Sequence, residues 1–180
     1  MKTRCADQSC TSRFYKDYQL KTLIFGYGNP DREDDGVAWH VLKEVMLQQH
    51  LPEPEDPDID IKDERNQTEY YFQFQLTPEI AYDLDRFDRV CFIDAHTGAV
   101  PEDVHFEKVQ PAFQKSPFTH HLTAASLLSI CETLHHKVPE TILVSVRGYQ
   151  FGFSRELSTA TRLLCRQAAD IIIDWMNARV

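Results

Sequence analysis

Val90-Cys91-Phe92-Ile93 is an unbroken apolar run that ends at an acid, Asp94. A strand with one wet face alternates apolar and polar residues; this one does not, so both of its faces must be covered. That is the habit of strands in parallel sheets packed between helices. Leu23-Ile24-Phe25, which ends at Gly26, and "TILVSV" at 141–146 read the same way. Between them the apolar period shifts to that of helices. Ala38, Val41, Leu42, Val45 and Met46 mark a helix over 36–49, and Thr77 followed by Pro78 opens a second that reaches about Phe87. Leu122, Leu127, Leu128 and Leu134 mark a third over about 122–137. Ser158 caps a fourth over about 159–177, carrying Leu163, Leu164, Ala168, Ile171, Ile172 and Trp175. "EYYFQFQ" (69–75) and "VHFEKV" (104–109) add strands, the latter alternating and more exposed. The expected fold is α/β: a three-layer α/β/α sandwich around a twisted, mostly parallel sheet of about five strands.

With 180 residues the chain makes one domain, expected over 22–180, behind a polar, unpatterned N-terminal tail over 1–21 that is expected to be flexible. Residues 51–64 hold three prolines and seven acids against one lysine, and read as a solvated connection. The 28 acidic and 19 basic residues leave a net charge of −9, which argues against nucleic acid or an anionic membrane as partner. Residues 1–22 lack a signal-peptide apolar core, and no apolar run approaches the roughly 20 residues of a membrane span. Five cysteines, at 5, 10, 91, 131 and 165, are an odd number, and Cys91 lies inside an apolar run. Buried thiols in a reducing compartment follow, so the expected location is the cytoplasm. Cys5 and Cys10 are spaced C-x4-C without the partner pair a metal site would need.

Ligands of such sheets bind where the strands end at their carboxyl edge. After the first strand comes "GYGNPDREDDG" (26–36), in which four of the five residues from Asp31 to Asp35 are acidic. Position 31 lacks the third glycine of a dinucleotide loop, and carboxylates repel pyrophosphate. The segment can be a plain strand-to-helix connection with Asp34 or Asp35 capping the helix. The crowding of acids instead favours a cation or a cationic partner, with Asp35 placed to hold it. Asp94 closes a buried strand on the same edge, where it can equally serve as an acceptor for loop hydrogen bonds. Thr119-His120-His121-Leu122 stands where a loop meets a helix, and His96 lies two residues past Asp94. Two acids and one imidazole suit a borderline divalent metal such as nickel or zinc, with positions left open.

These residues resemble one family. "GYGNPDREDDGVAW" is similar to the G-x-G-N-x4-D-D-G signature of the [NiFe]-hydrogenase maturation endopeptidases. "QLTPEIAYDLDRFDRVCFIDA" (75–95) and "SPFTHHLTAASLL" (116–128) resemble its second and third blocks, and the likeness spans about 22–177. The resemblance implies a phosphorylase/hydrolase-like α/β sandwich. It implies an endopeptidase that removes a C-terminal extension from the hydrogenase large-subunit precursor after nickel insertion. Nickel would be carried by that partner, so the free enzyme need hold none. The matched metal contacts and catalytic residues are Asp35, Asp94 and His120, with His121 only their neighbour. The glycines would let the tail of the folded substrate approach the backbone. The chain departs from the family pattern at Ala38, in the long acidic stretch 51–64, and in "GYQFGFSRELS" (148–158), which has fewer glycines. Two other functions remain open: a non-catalytic hydrogenase-assembly factor, or a metallohydrolase of another substrate on the same scaffold.

Overall fold

The structure is a computed structural model that describes residues 19–57, 60–113 and 122–178. The N-terminal tail up to residue 18, Cys5 and Cys10, and the pair His120-His121 lie outside the described residues. The elements, in chain order, are β1 (Thr22–Tyr27), α1 (Val37–Gln48), β2 (Asp60–Asp63), β3 (Thr68–Gln73), β4 (Arg89–His96), β5 (Val104–Val109), α2 (Ala124–His135), β6 (Glu140–Arg147) and α3 (Thr159–Asn177). They form one sheet in the order β2-β3-β1-β4-β6-β5. The four inner strands are parallel, and the two edge strands run antiparallel to their neighbours. This is the expected α/β architecture, with six strands rather than about five.

The unbroken apolar runs are explained by what covers each face. Ile24, Tyr70, Phe72, Cys91, Ile93, Ile142 and Val144 point to one side, where α1 and α3 pack next to each other. Leu23, Phe25, Val90 and Phe92 point to the other, under α2 and the segment before β4. Cys91, Cys131 and Cys165 are free and buried, and burial pushes the Cys165 thiol up to about 12. Among the described residues no helix is long and apolar enough to cross a membrane.

Two elements differ from expectation. The segment after Thr77 is not an α-helix but two 3-10 turns, Pro78–Tyr82 and Leu84–Arg86. Its backbone bonds span three residues: Ile80 N to Thr77 O, Asp83 N to Ile80 O, and Arg86 N to Asp83 O. The buried side chains Ala81, Leu84 and Phe87 are likewise three apart, so a three-residue turn aligns them on the core where a 3.6-residue helix would not. Second, the acidic stretch 51–64 ends in β2. Edge strands tolerate and even favour charge, because it blocks further pairing, and this composition hid the strand. Asp63, buried at its end, accepts hydrogen bonds from the Arg65 backbone (3.1 Å) and from Asn66 Nδ2 (2.8 Å).

The helix ends mostly follow local chemistry. Ser158 Oγ accepts from Thr161 N at 3.2 Å to start α3, and Thr123 does the same for Ser126 N at the start of α2. α1 is different. A 3-10 turn, Glu33–Gly36, leads into it, and neither Asp34 nor Asp35 caps it. Asp34 instead has no exposed surface and reaches across to the loop between β6 and α3. Its Oδ2 accepts from Tyr149 N (2.7 Å), Gln150 N (2.9 Å) and Ser158 Oγ (2.8 Å), and its Oδ1 from Ser158 N (2.7 Å). Burial alone would raise the Asp34 pKa, but these donors more than offset it and hold the carboxyl below the usual range.

A depressed pKa gives a sign. The contribution of Asp34 to stability is complete above the ordinary carboxylate pKa of about 4 and is lost as pH falls through its lower native value. Asp34→Ala strands four donors and should cost about 3 kcal/mol or more. In denaturant titrations this deficit should be flat above about pH 5 and shrink below about pH 4. A deficit that grows on acidification would refute the assignment.

Candidate active site

The carboxyl edge of the inner sheet is where the site assembles. β1 pairs with β4 in the register Gly26↔Ile93, so Tyr27 and Asp94, each one residue further on, stand side by side where that pairing ends; β4 itself continues to His96 along β6, two residues beyond the expected end at Asp94. The Tyr27 hydroxyl donates to the Asp94 carboxylate, whose Oδ1 also accepts from Ala95 N at 2.7 Å. Asp35 arrives from the other side of the β1–α1 connection, its Oδ2 accepting from Asn29 N at 3.1 Å. The two acids are close enough for the charge of Asp35 to act on Asp94. Burial first, and then Asp35, push the Asp94 pKa up to about 6, against the opposing hydrogen bonds from Tyr27 and Ala95. Burial and the neighbouring Asp94 raise the Tyr27 phenol well above its ordinary value, so it stays a donor.

Within the fold the glycines make room for this chain's own atoms. Gly28 has φ +139°, and a Cβ there would collide with the carbonyl of Asp35. Its missing side chain therefore admits this chain's own backbone, seating Asp35 over the end of β1. A Cβ on Gly26 would press on Phe72 and Ala38, so that position serves packing between β1, β3 and α1.

The crowding of acids also resolves within the fold. Asp31 pairs with Arg155, Glu33 Oε2 accepts from Gly152 N at 2.6 Å, and Asp34 is saturated as described. The case for an outside cation thus reduces to Asp35 together with Asp94. His96 is drawn aside: its Nδ1 accepts from Gly98 N at 3.2 Å, and burial followed by neighbouring positive groups lowers its pKa. His120 and His121, the proposed imidazole and its neighbour, lie outside the described residues. Among the described residues no three His, Cys, Asp or Glu side chains form a group able to hold a metal. Two carboxylates sharing an edge, one kept partly protonated near neutrality, can complete the coordination of a cation brought by a partner, or pass a proton.

Sequence reasoning missed Tyr27 and the separate role of Asp34. Tyr27 carried a usable signal, since it ends the first buried run and a parallel partner would bring it opposite Asp94. Asp34 carried none: its partners are 115 to 124 residues away along the chain.

No family profile matches the chain, and neither does any curated protein. Solved structures do. The [NiFe] hydrogenase maturation protease HycI from Thermococcus kodakarensis KOD1 superposes with a TM-score of 0.62 at 16% identity, covering 90% of this chain and 96% of the other. The hydrogenase maturating endopeptidase HybD from E. coli gives 0.66 at 16% identity, covering 87% and 92%. An endopeptidase from Escherichia coli, solved in solution, gives 0.61 at 17% identity, covering 86% and 91%. With its sheet order, its crossing helices and its two acids on the carboxyl edge described, the chain has the fold of the hydrogenase maturation proteases.

Proposed function

We propose that the protein is an endopeptidase that removes the C-terminal extension of a [NiFe]-hydrogenase large-subunit precursor after nickel insertion. The observation that carries this reading is the convergence of Asp35 and Asp94 from different elements onto one sheet edge, in the fold that known maturation proteases share. His120, the residue matched by resemblance, supplies the imidazole in this scheme, and the reaction takes place in the cytoplasm.

The chemistry follows from the local electrostatics. Without a cation, Asp35 and Asp94 repel one another, and Asp94 holds a proton to about pH 6. A precursor that carries nickel brings the positive charge that lets Asp94 ionise; an empty precursor does not. The Tyr27 phenol beside Asp94 favours its ionised form. The nickel polarises the scissile carbonyl, water adds to that carbon, and the C–N bond breaks with a proton passing to the departing amine.

Incubation with nickel-loaded precursor should remove mass from its C-terminus, and the nickel-free control should stay intact; loaded precursor left whole would refute the reading. Asp94→Asn should separate activity from stability. Processing should be abolished. The variant should also gain stability as pH rises from 4 to 6, by about 3 kcal/mol at pH 7, because the raised native pKa makes the ionised carboxylate a cost there. Equal stability at all pH values would remove the argument from burial. Tyr27→Phe deletes a hydrogen bond that lowers the Asp94 pKa, so the acid limb of the processing rate should move to higher pH. An unmoved limb would take Tyr27 out of the site.

A further inference from the structure

The loop between β6 and α3 presents Phe153 almost wholly to solvent, at 92% exposure. This is not a loose tip. On either side of it, Gly152 N donates to Glu33 Oε2 and Ser154 O accepts from Glu33 N at 2.7 Å. Arg32 Nη2 donates to Phe151 O at 3.0 Å, and the Arg32 guanidinium lies over the Phe153 ring, 5.7 Å from its centre. Glu33 itself holds a left-handed conformation, φ +50°, that only such flanking bonds would keep in place. A large apolar ring is thus held in water by a prefolded frame.

The position of the ring joins it to the acid pair. Arg32 O accepts from Asp35 N at 3.2 Å, so the cation and Asp35 share one turn. At its other end the loop begins with Gly148 N donating to His96 O, two residues from Asp94. Charge gives the second clue. The acid on one side of Arg32, Asp31, is taken by Arg155, and that on the other, Glu33, by Gly152 N. Among the described residues Arg32 itself makes no ion pair, in a chain of net charge −9. A guanidinium left unpaired beside an exposed phenyl fits a carboxylate next to an apolar side chain. Aromatic and arginine side chains dominate binding energy at protein interfaces. Holding them rigid before contact lowers the ordering cost of binding.

We propose that Arg32 and Phe153 form the specificity contact through which this site docks the folded surface of its protein substrate. An apolar side chain of the precursor packs on Phe153, and a neighbouring carboxylate pairs with Arg32. The inference rests on the endopeptidase reading and adds to it where the substrate is gripped. Asp31, Glu33 and Asp34 then serve as the frame of that grip.

The test compares wild type, Phe153→Ala, Arg32→Ala and Arg32→Lys on nickel-loaded precursor, reading cleavage by intact mass and binding by calorimetry. Phe153→Ala should weaken binding and raise KM by about tenfold or more, with the loss on KM rather than kcat and the melting temperature unchanged. Arg32→Ala should weaken binding and flatten its salt dependence, while Arg32→Lys keeps the salt dependence. A KM and Kd within about twofold of wild type for Phe153→Ala would overturn the proposal, as would a loss confined to kcat with a lowered melting temperature. Failure of the endopeptidase reading looks different: wild type leaves the precursor mass unchanged. Binding then still decides, since equal binding by wild type and Phe153→Ala, or none by either, overturns the docking contact.

Discussion

One buried carboxylate holds the working edge of this protein together. Asp34 is shut away from water, a position that would be very costly for an unpaired charge. It is tolerated because four donors from residues 149, 150 and 158 converge on it. That convergence welds two segments far apart in the chain, the connection after β1 and the loop before α3. Its neighbours inherit their positions. Asp35, the next residue, is set over Gly28, and the Arg32 guanidinium is held over the Phe153 ring on the rim. The start of α3 depends on the same knot, because Ser158 both donates to Asp34 and caps the helix.

Asp94 stands in the opposite electrostatic condition. It is half-buried, Tyr27 and Ala95 supply only two hydrogen bonds, and Asp35 adds a like charge. Four donors hold Asp34 below the usual carboxylate range, whereas desolvation, helped by Asp35, outweighs the two at Asp94 and holds it above. The saturated carboxylate is structural. The undersupplied one keeps its affinity for a proton up to about pH 6. Two adjacent acids in the sequence, Asp34 and Asp35, therefore belong to different systems, one turned to the interior and one to the edge.

Much of the frame was legible before any coordinates. Runs such as Val90–Ile93 demanded cover on both faces, and the structure supplies it with α1 and α3 on one side and α2 on the other. Ser158 as the cap of α3 was readable because a cap is a local bond. The errors share a cause. The 3-10 turns before β4 and the edge strand β2 are weak local signals decided by packing: Ala81, Leu84 and Phe87 select the tighter turn, and pairing with β3 selects a strand from an acidic stretch. The partners of the acid cluster were equally hidden, because the sequence shows charges and not what meets them: Arg155, Gly152 and Ser158 neutralise or satisfy Asp31, Glu33 and Asp34.

By itself the sequence determined the α/β class, the covered strands, most helix spans and the two acids on one edge, because hydrophobic period and strand direction are local or follow from chain order. Tertiary structure alone decided which acids are spent and which are free, why Gly28 must be glycine, and that Tyr27 holds Asp94. Each of these depends on contacts between residues that chain order does not place together, and electrostatic character is set by such contacts and not by residue type.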